Sequence, residues 1–497
     1  MRARITSRVS IPHFGMAASL MAATLLLTFA EDGHAAGLEI PEQGTRSVAR
    51  GGAFSARGDD PTAGIHNPGA LLKGEGLRLT YNHNLIWSFV EFTRAPSQIP
   101  EAIGVGDYPA SSQWPKASEN QTPFFPMNAL LAASHDFGSE NWAFGFQLYG
   151  PNNTGSAKYD PHGGQRYMLT QLDALVIFTG LSAAYGTETY GFGVTLQHAQ
   201  MPVLDYSVVV DGQTSGAGLA PYASASDVVT TTKLSDMFAY TAIIGGWWRP
   251  TPNFELALSG RVLPVKFEAT GTVEVENVPV ENCPEGQRCG AEFTAAQLEV
   301  PGSSAKLSMT LPQTARLGLR YRGLEGDTEV YDVELDVVYE AWSAIDTYDL
   351  DLEGEIKLYG GEPVQDISIP KKWRDTLSVR LGGTYVAVPD VFDVSLGGYY
   401  EQGATPLNYT HLDFLSVDRI GIGAGFTYKT GSLELSLAYS HVFQETREVT
   451  ETFAKVVQQR PVAQCPDGCN GFSGVPANAG KFESSVDIVS VGIEAGF

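Results

Sequence analysis

The chain carries 32 Lys and Arg against 56 Asp and Glu over 497 residues, a formal net charge of −24, with a mean hydropathy of −0.08. So acidic a balance excludes nucleic acid as a partner and suits a cell surface with lipopolysaccharide and bound divalent cations. The low hydropathy excludes a bundle of membrane-spanning helices, whereas 54 glycines, 24 Phe and 21 Tyr suit an all-β membrane barrel.

At the N-terminus Arg2, Arg4 and Arg8 precede an apolar run from Met16 to Ala30, and the small residues Ala35 and Ala36 follow. This is the pattern of a signal peptide, residues 1–36, and its apolar run is too short to span a bilayer comfortably. Residues 37–75 have neither a helical nor a strand period. Six glycines from Gly37 to Gly64, a seventh at Gly69, Pro41, Pro61, Pro68 and the turn pair Asp59-Asp60 cannot build a core of their own. This segment is expected to be a plug inside whatever the later strands enclose.

From residue 76 to 497 polar and apolar residues alternate with period two, which puts one face on lipid and the other on a lumen. The alternation predicts strands at Gly76–Thr93, Phe125–Phe137, Trp142–Gly150, Gln171–Tyr185, Tyr190–Tyr206, Met237–Arg249 and Asn253–Phe267. It continues with Ala305–Arg322, Thr328–Leu350, Trp373–Val388, Val391–Gln402, Asp418–Lys429, Ser432–Phe453 and Glu483–Phe497. About fourteen strands is an even number, as in single-chain bacterial barrels. Short turns such as Gly138–Asn141 and Thr430–Gly431 alternate with long polar stretches such as Arg94–Phe124 and Glu268–Ser304. In an outer-membrane barrel the long loops face outside. The chain closes on Phe497, and a terminal aromatic on the lipid face resembles the signal read by the barrel assembly machinery.

Parity assigns faces. Leu317, Leu319 and Tyr321 on lipid put Arg316, Arg320 and Arg322 in the lumen; Val333, Leu335, Val337 and Tyr339 on lipid put Asp332, Glu334 and Asp336 there too. Opposite charges facing across a hairpin support pairing. The preferred reading is a structural network that grips the plug, the other a charged porin eyelet. Four cysteines form two local pairs, Cys283 with Cys289 and Cys465 with Cys469, in polar Pro/Gly-rich stretches. Each pair is expected to staple its own loop in an oxidising compartment; shared zinc is the rival, weakened by spacing and by the lack of a nearby His.

The glycine-rich turns, Asp59-Asp60 and then Asn67-Pro68 before the first strand resemble the N-terminal hatch of the FadL-type long-chain fatty acid transporters of the outer membrane. The resemblance extends over nearly the whole mature chain through Leu148–Pro151, Gly164–Tyr167, Tyr190–Gly193, Leu311-Pro312, Tyr339–Ser343 and Arg374-Asp375. It departs at Gly69, where the family usually has alanine. The resemblance implies a plugged monomeric barrel that takes an amphipath into its lumen and releases it through the wall. It implies a lateral opening at Gly150-Pro151, on the kinked third strand, where proline cannot donate to a ladder. It also implies ligand-binding cations: Arg374 stands where the family carries a lysine, Arg166 lies in a matching stretch, and His198 stands where the second family cation is missing. That loss keeps an uncharged aliphatic or aromatic hydrocarbon open as substrate.

No catalytic motif of the GxSxG, HExxH or P-loop kind occurs, and His162, His198 and His411 show no partner that would make any of them a base. The expectation is a carrier and not an enzyme, without cofactor or metal. A general porin for small polar solutes is the alternative, and it has no need of a plug. Phe124, Phe125, Trp114 and Pro115 in the first long loop favour a hydrophobic substrate.

Overall fold

The computed structural model describes residues 43–96, 117–121, 128–152, 155–211, 227–278, 304–353, 366–459 and 476–497. The expected signal peptide, both cysteine pairs and the loop residues Trp114, Pro115, Phe124 and Phe125 lie outside these residues.

The strands in chain order are β1 (Arg78–Arg94), β2 (Ala117–Gln121), β3 (Ala129–His135), β4 (Trp142–Tyr149), β5 (Ser156–Lys158), β6 (Gln171–Gly186) and β7 (Tyr190–Asp211). Then follow β8 (Asp227–Thr251), β9 (Phe254–Arg261), β10 (Val265–Asn277), β11 (Ser304–Leu311), β12 (Thr314–Glu325), β13 (Thr328–Glu340) and β14 (Thr347–Glu353). The last are β15 (Ile367–Pro370), β16 (Thr376–Val388), β17 (Phe392–Glu401), β18 (Arg419–Thr430), β19 (Leu433–Gln444), β20 (Arg447–Val449) and β21 (Gly480–Gly496). Antiparallel pairing runs β1-β3-β4-β6-β7-β8-β9-β12-β13-β16-β17-β18-β19-β21, and β21 pairs back to β1 over its whole length. The result is a closed 14-stranded barrel, in which the last wall strand pairs with the first.

The alternation read in the sequence is the alternation seen. On β18, Ile420, Ile422, Phe426 and Tyr428 are exposed while Arg419 and Thr427 are buried. Short hairpins close one rim, where Gly326 and Gly431 take φ of 65° and 60°, a left-handed turn conformation that a side chain would strain.

The sequence reading differs from the structure at the other rim. Predicted loops at Ser207–Asp236 and Glu268–Ser304 begin and end as strand: β7, β8 and β10 run well past the expected ends and pair from Leu204↔Leu234 to Asp211↔Asp227 and from Thr270↔Ser235 to Asn277↔Val228. Val208-Val209-Val210 and the Thr/Val run near 230 have the β-branched bulk that suits a strand, and the polar, Gly/Ser-rich sequence between the two runs hid it. Conversely, the predicted strand Thr328–Leu350 is broken by a 3-10 turn at Trp342–Ala344, and the tenth wall strand starts its ladder at Thr376, not Trp373.

The plug segment holds two short helices, α1 (Thr45–Ala49) and α2 (Ala63–His66), and a 3-10 turn at Pro68–Lys73. Nearly all of it is buried, against inward-facing residues of the wall. Backbone meets backbone there: a Cβ on inward Gly397 would lie 2.1 Å from the Arg50 carbonyl carbon, and one on Gly193 2.5 Å from that of Pro68.

Candidate functional site

At the short-hairpin end, the start of β13 presents Asp332, Glu334 and Asp336 inward. Four consecutive plug amides donate to them: Phe54 and Ser55 N–H to Asp336 Oδ2 (3.1 Å each), Ala56 N–H to Glu334 Oε1 (2.6 Å) and Arg57 N–H to Glu334 Oε2 (3.1 Å). Arg50 adds bonds to Asp332 Oδ2 (2.8 Å) and Glu334 Oε2 (3.1 Å), and Arg57 reaches Asp332 Oδ1 at 2.5 Å. Lys73 pairs with Glu255 at 2.8 Å. A plug without a core is thus held by charge-assisted bonds to the wall, stronger than neutral ones. His66 is buried there: burial first, then the Arg316 guanidinium at 3.4 Å from Nδ1, pull its pKa down to about 3. Neutral His66 offers Nε2–H to the Gln43 carbonyl at 2.9 Å.

At the long-connection end the lumen holds a large apolar cluster. It joins Ile65 of the plug to Phe92, Tyr149, Leu172, Phe178, Met201, Phe267, Trp342 and Leu412. Within it lies a buried polar group. Lys371 is ion-paired with Asp413 Oδ2, His411 Nδ1 is 2.8 Å from Asp413 Oδ1, and Lys371 Nζ sits 5.0 Å from the Tyr348 ring centre. Burial alone would raise the Asp413 carboxyl, but His411 and Lys371 outweigh it and hold it well below the usual carboxylate range. Burial pulls His411 and Lys371 down, against the pull of Asp413. A cavity of about 80 Å³ opens beside this group, lined by Asp413, Phe414, Arg419, Leu172, Ala174 and Gly155 among others.

The same cavity abuts a break in the wall. β4 follows β6 as far as Tyr149↔Phe178, and among the described residues strand pairing resumes at β5, Ser156↔Asp173. On the neighbouring edge, β3 meets β1 up to His83↔Ala129 and β2 meets it from Ser88↔Gln121. Asn84 to Trp87 therefore have no strand partner on that side among the described residues. Across the break, Asn84 Nδ2 donates to Asn152 Oδ1 at 2.9 Å, and Asn84 N–H to the Asn128 carbonyl at 3.1 Å.

Comparison with known proteins shows what a plugged 14-stranded barrel of this kind belongs to. The sequence profile of the family described as outer membrane protein transport protein (OMPP1/FadL/TodX) matches residues 26–468. The chain belongs to that family. No curated protein matches the sequence. Among solved structures, a Pseudomonas aeruginosa FadL homologue is 17% identical with a TM-score of 0.70, over 93% of this chain and 100% of that one. The Pseudomonas putida toluene transporter TodX is 13% identical with a TM-score of 0.64, over 93% and 99%. The Ralstonia pickettii toluene transporter TbuX is 13% identical with a TM-score of 0.59, over 92% and 99%. These likenesses establish a shared fold.

Placed on this member of the OMPP1/FadL/TodX family, the sequence-derived residues separate. Arg320 binds Asp332 (3.0 Å), Glu255 (3.1 Å) and Glu329 (2.5 Å), and Arg322 binds Glu329 (2.6 Å), so the lumen network exists and includes plug residues. Asp59 pairs with Arg46 (2.8 Å) and Arg57 (3.0 Å); Asp60 Oδ1 accepts the Thr62 amide (2.9 Å). Asn67 ties the plug to itself and to β8 through the Ser55 and Gly246 carbonyls (2.9 and 3.1 Å), and Pro68 follows at the wall contact. Gly150 and Pro151 begin the ladder break, and Gln43 Nε2 reaches the Gly150 carbonyl at 3.5 Å.

Three expected ligand cations are not gathered. Arg374 is exposed, because parity was extended below Thr376 into a stretch where Lys372 turns left-handed at φ 50° and buries Lys371 and Trp373 instead. His198 shares the outward face with Leu196 and stacks on exposed Tyr240, ring centres 5.1 Å apart. Arg166 is buried, but it is bonded to Asp227 (3.2 Å) and the Tyr167 hydroxyl (2.8 Å). Sequence reasoning missed Lys371, Asp413, Glu255, Arg50 and Arg57.

Proposed function

We propose that the protein takes up hydrophobic small molecules by passive diffusion, admitting them at the long-loop rim into the apolar compartment and releasing them sideways through the break between Tyr149 and Ser156. The observation that carries this is contiguity: the cavity beside Phe414 and Leu172 runs to the place where two neighbouring ladders stop. An apolar molecule passing there reaches lipid without entering water, so it keeps its transfer free energy throughout. The charged plug fills the alternative path straight down the axis. Long-chain fatty acids and aromatic or aliphatic hydrocarbons both fit such a compartment. If an anionic head group is bound, the buried cations at hand are Arg419, which lines the cavity, and Lys371, ion-paired with the lining residue Asp413; Arg374 is exposed. The test is reconstitution in liposomes. Swelling in sugars should be slow, while transfer of a hydrophobic fluorophore into the bilayer is accelerated. Rapid sugar swelling without accelerated transfer would make the protein a porin.

A further inference from the structure

The cavity beside Asp413 has a volume of about 80 Å³, roughly half of the ~150 Å³ that takes up one benzene molecule. It is too small to enclose a fatty acid or an aromatic ring, so part of its lining must move before cargo enters. Most of that lining is held by main-chain bonds. Strands β1, β5, β6, β18, β19 and β21 contribute residues at paired positions. Of the residues flanking β5, the Gly155 carbonyl accepts the Ala174 N–H at 2.9 Å and Tyr159 N–H donates to the Thr170 carbonyl at 2.8 Å.

The remaining wall is held differently. Leu412, Asp413, Phe414 and Leu415, consecutive in the connection between β17 and β18, all line the cavity. Among the described residues their main chain bonds only within that connection, as in Phe414 N–H to Asp413 Oδ1 at 2.7 Å and Ser416 N–H to the Phe414 carbonyl at 3.0 Å. Side chains alone tie them to the rest of the molecule: the Lys371–Asp413 ion pair, Phe414 edge-on to Tyr348 with ring centres 6.2 Å apart, and apolar packing. The ion pair is no bolt, because opening would return to both charges the hydration that burial took from them. The base of the segment is fixed. Asn478 Nδ2 donates to the Asn408 and Thr410 carbonyls at 3.0 and 2.9 Å, and Ala404 N–H donates to Ser416 Oγ at 3.0 Å.

We propose that residues 412–415 are a lid over the cavity, which turns about its base at Thr410 and Ser416 to admit cargo. The inference rests on the transport reading above and names its moving part.

The experiment uses the full-length protein carrying Lys371→Cys and Asp413→Cys in liposomes; removing both charges together strands neither. Once a short bis-methanethiosulfonate bridges the two thiols, transfer of a hydrophobic fluorophore into the bilayer should fall to the rate of protein-free liposomes, and reductant should restore it. The same variant capped on each thiol with methyl methanethiosulfonate carries added bulk without a bridge and should transfer faster than the bridged form. Equal transfer by the two forms, with the bridge confirmed by mass spectrometry, would overturn the lid. So would thiols that no reagent reaches, since they mark a segment that stays shut. Hydrogen exchange of the wild type in nanodiscs needs no substitution: the amides of residues 412–415 should exchange faster than those of β18. Exchange as slow as that of β18 would overturn the lid and leave the transport reading intact. A wild type that fails to accelerate transfer would remove the transport reading and the lid's role with it.

Discussion

His66 sits where a charge is expensive. Its folded pKa of about 3 lies below the ordinary 6.5, so between those limits the unfolded chain holds a proton that the folded chain does not. Stability is therefore complete above 6.5 and falls as pH drops, by about 1.4 kcal/mol per pH unit from this group. The unfolding midpoint of wild type should fall between pH 7 and pH 5, and His66→Gln should flatten that slope. Identical slopes would mean that His66 is hydrated. Lys371 makes the opposite case. Lys371→Met would strand the Asp413 carboxylate in the apolar cluster, at a cost of about 3–5 kcal/mol. Adding Asp413→Asn should recover much of the loss, as read from thermal unfolding in detergent. A double variant no better than the single one would show that the pair does not share one buried charge balance.

At the scale of elements, the plug is bound through backbone amides, so its wall partners matter more than its own side chains. Asp336→Ala leaves the Phe54 and Ser55 N–H groups unmet, each worth about 1–3 kcal/mol. Ion conductance in planar bilayers should rise as the plug loosens; unchanged conductance would show that Asp336 is dispensable to the plug. How much of this was legible follows from where a period exists. β12 and β13 alternate cleanly, so the inward placing of Arg320, Asp332, Glu334 and Asp336 could be read directly. The plug has no period, so nothing in it said that Arg50 and Arg57 would be the arginines reaching those acids. A usable signal was there in the wall: Gly382 and Gly397 lie at inward parity, where only a close-packed backbone explains the missing side chain. Arg374 failed because parity holds only while the ladder does, and His198 because a motif position was trusted over the outward parity of Leu196. Lys371 and Asp413 lie in irregular loops far apart in sequence, where residue type alone could not pair them.

Across the whole barrel the two ends divide the work. The short-hairpin end is charged, hydrogen-bonded and plugged; the long-loop end holds the large apolar cluster with a few buried ion pairs set in it, and meets a stretch of wall where the ladder is interrupted. Family membership gives outer-membrane transport, and this division assigns the route proposed within it. The most direct test locks the break. Asn84 and Asn152 already touch across it, so an Asn84→Cys, Asn152→Cys double variant can tie β1 to the segment after β4. Uptake of a hydrophobic probe by cells carrying the double variant should be lost on oxidation and restored by reductant, while either single variant is unaffected. Full uptake with the crosslink confirmed by mass spectrometry would contradict lateral release and send the ligand past the plug.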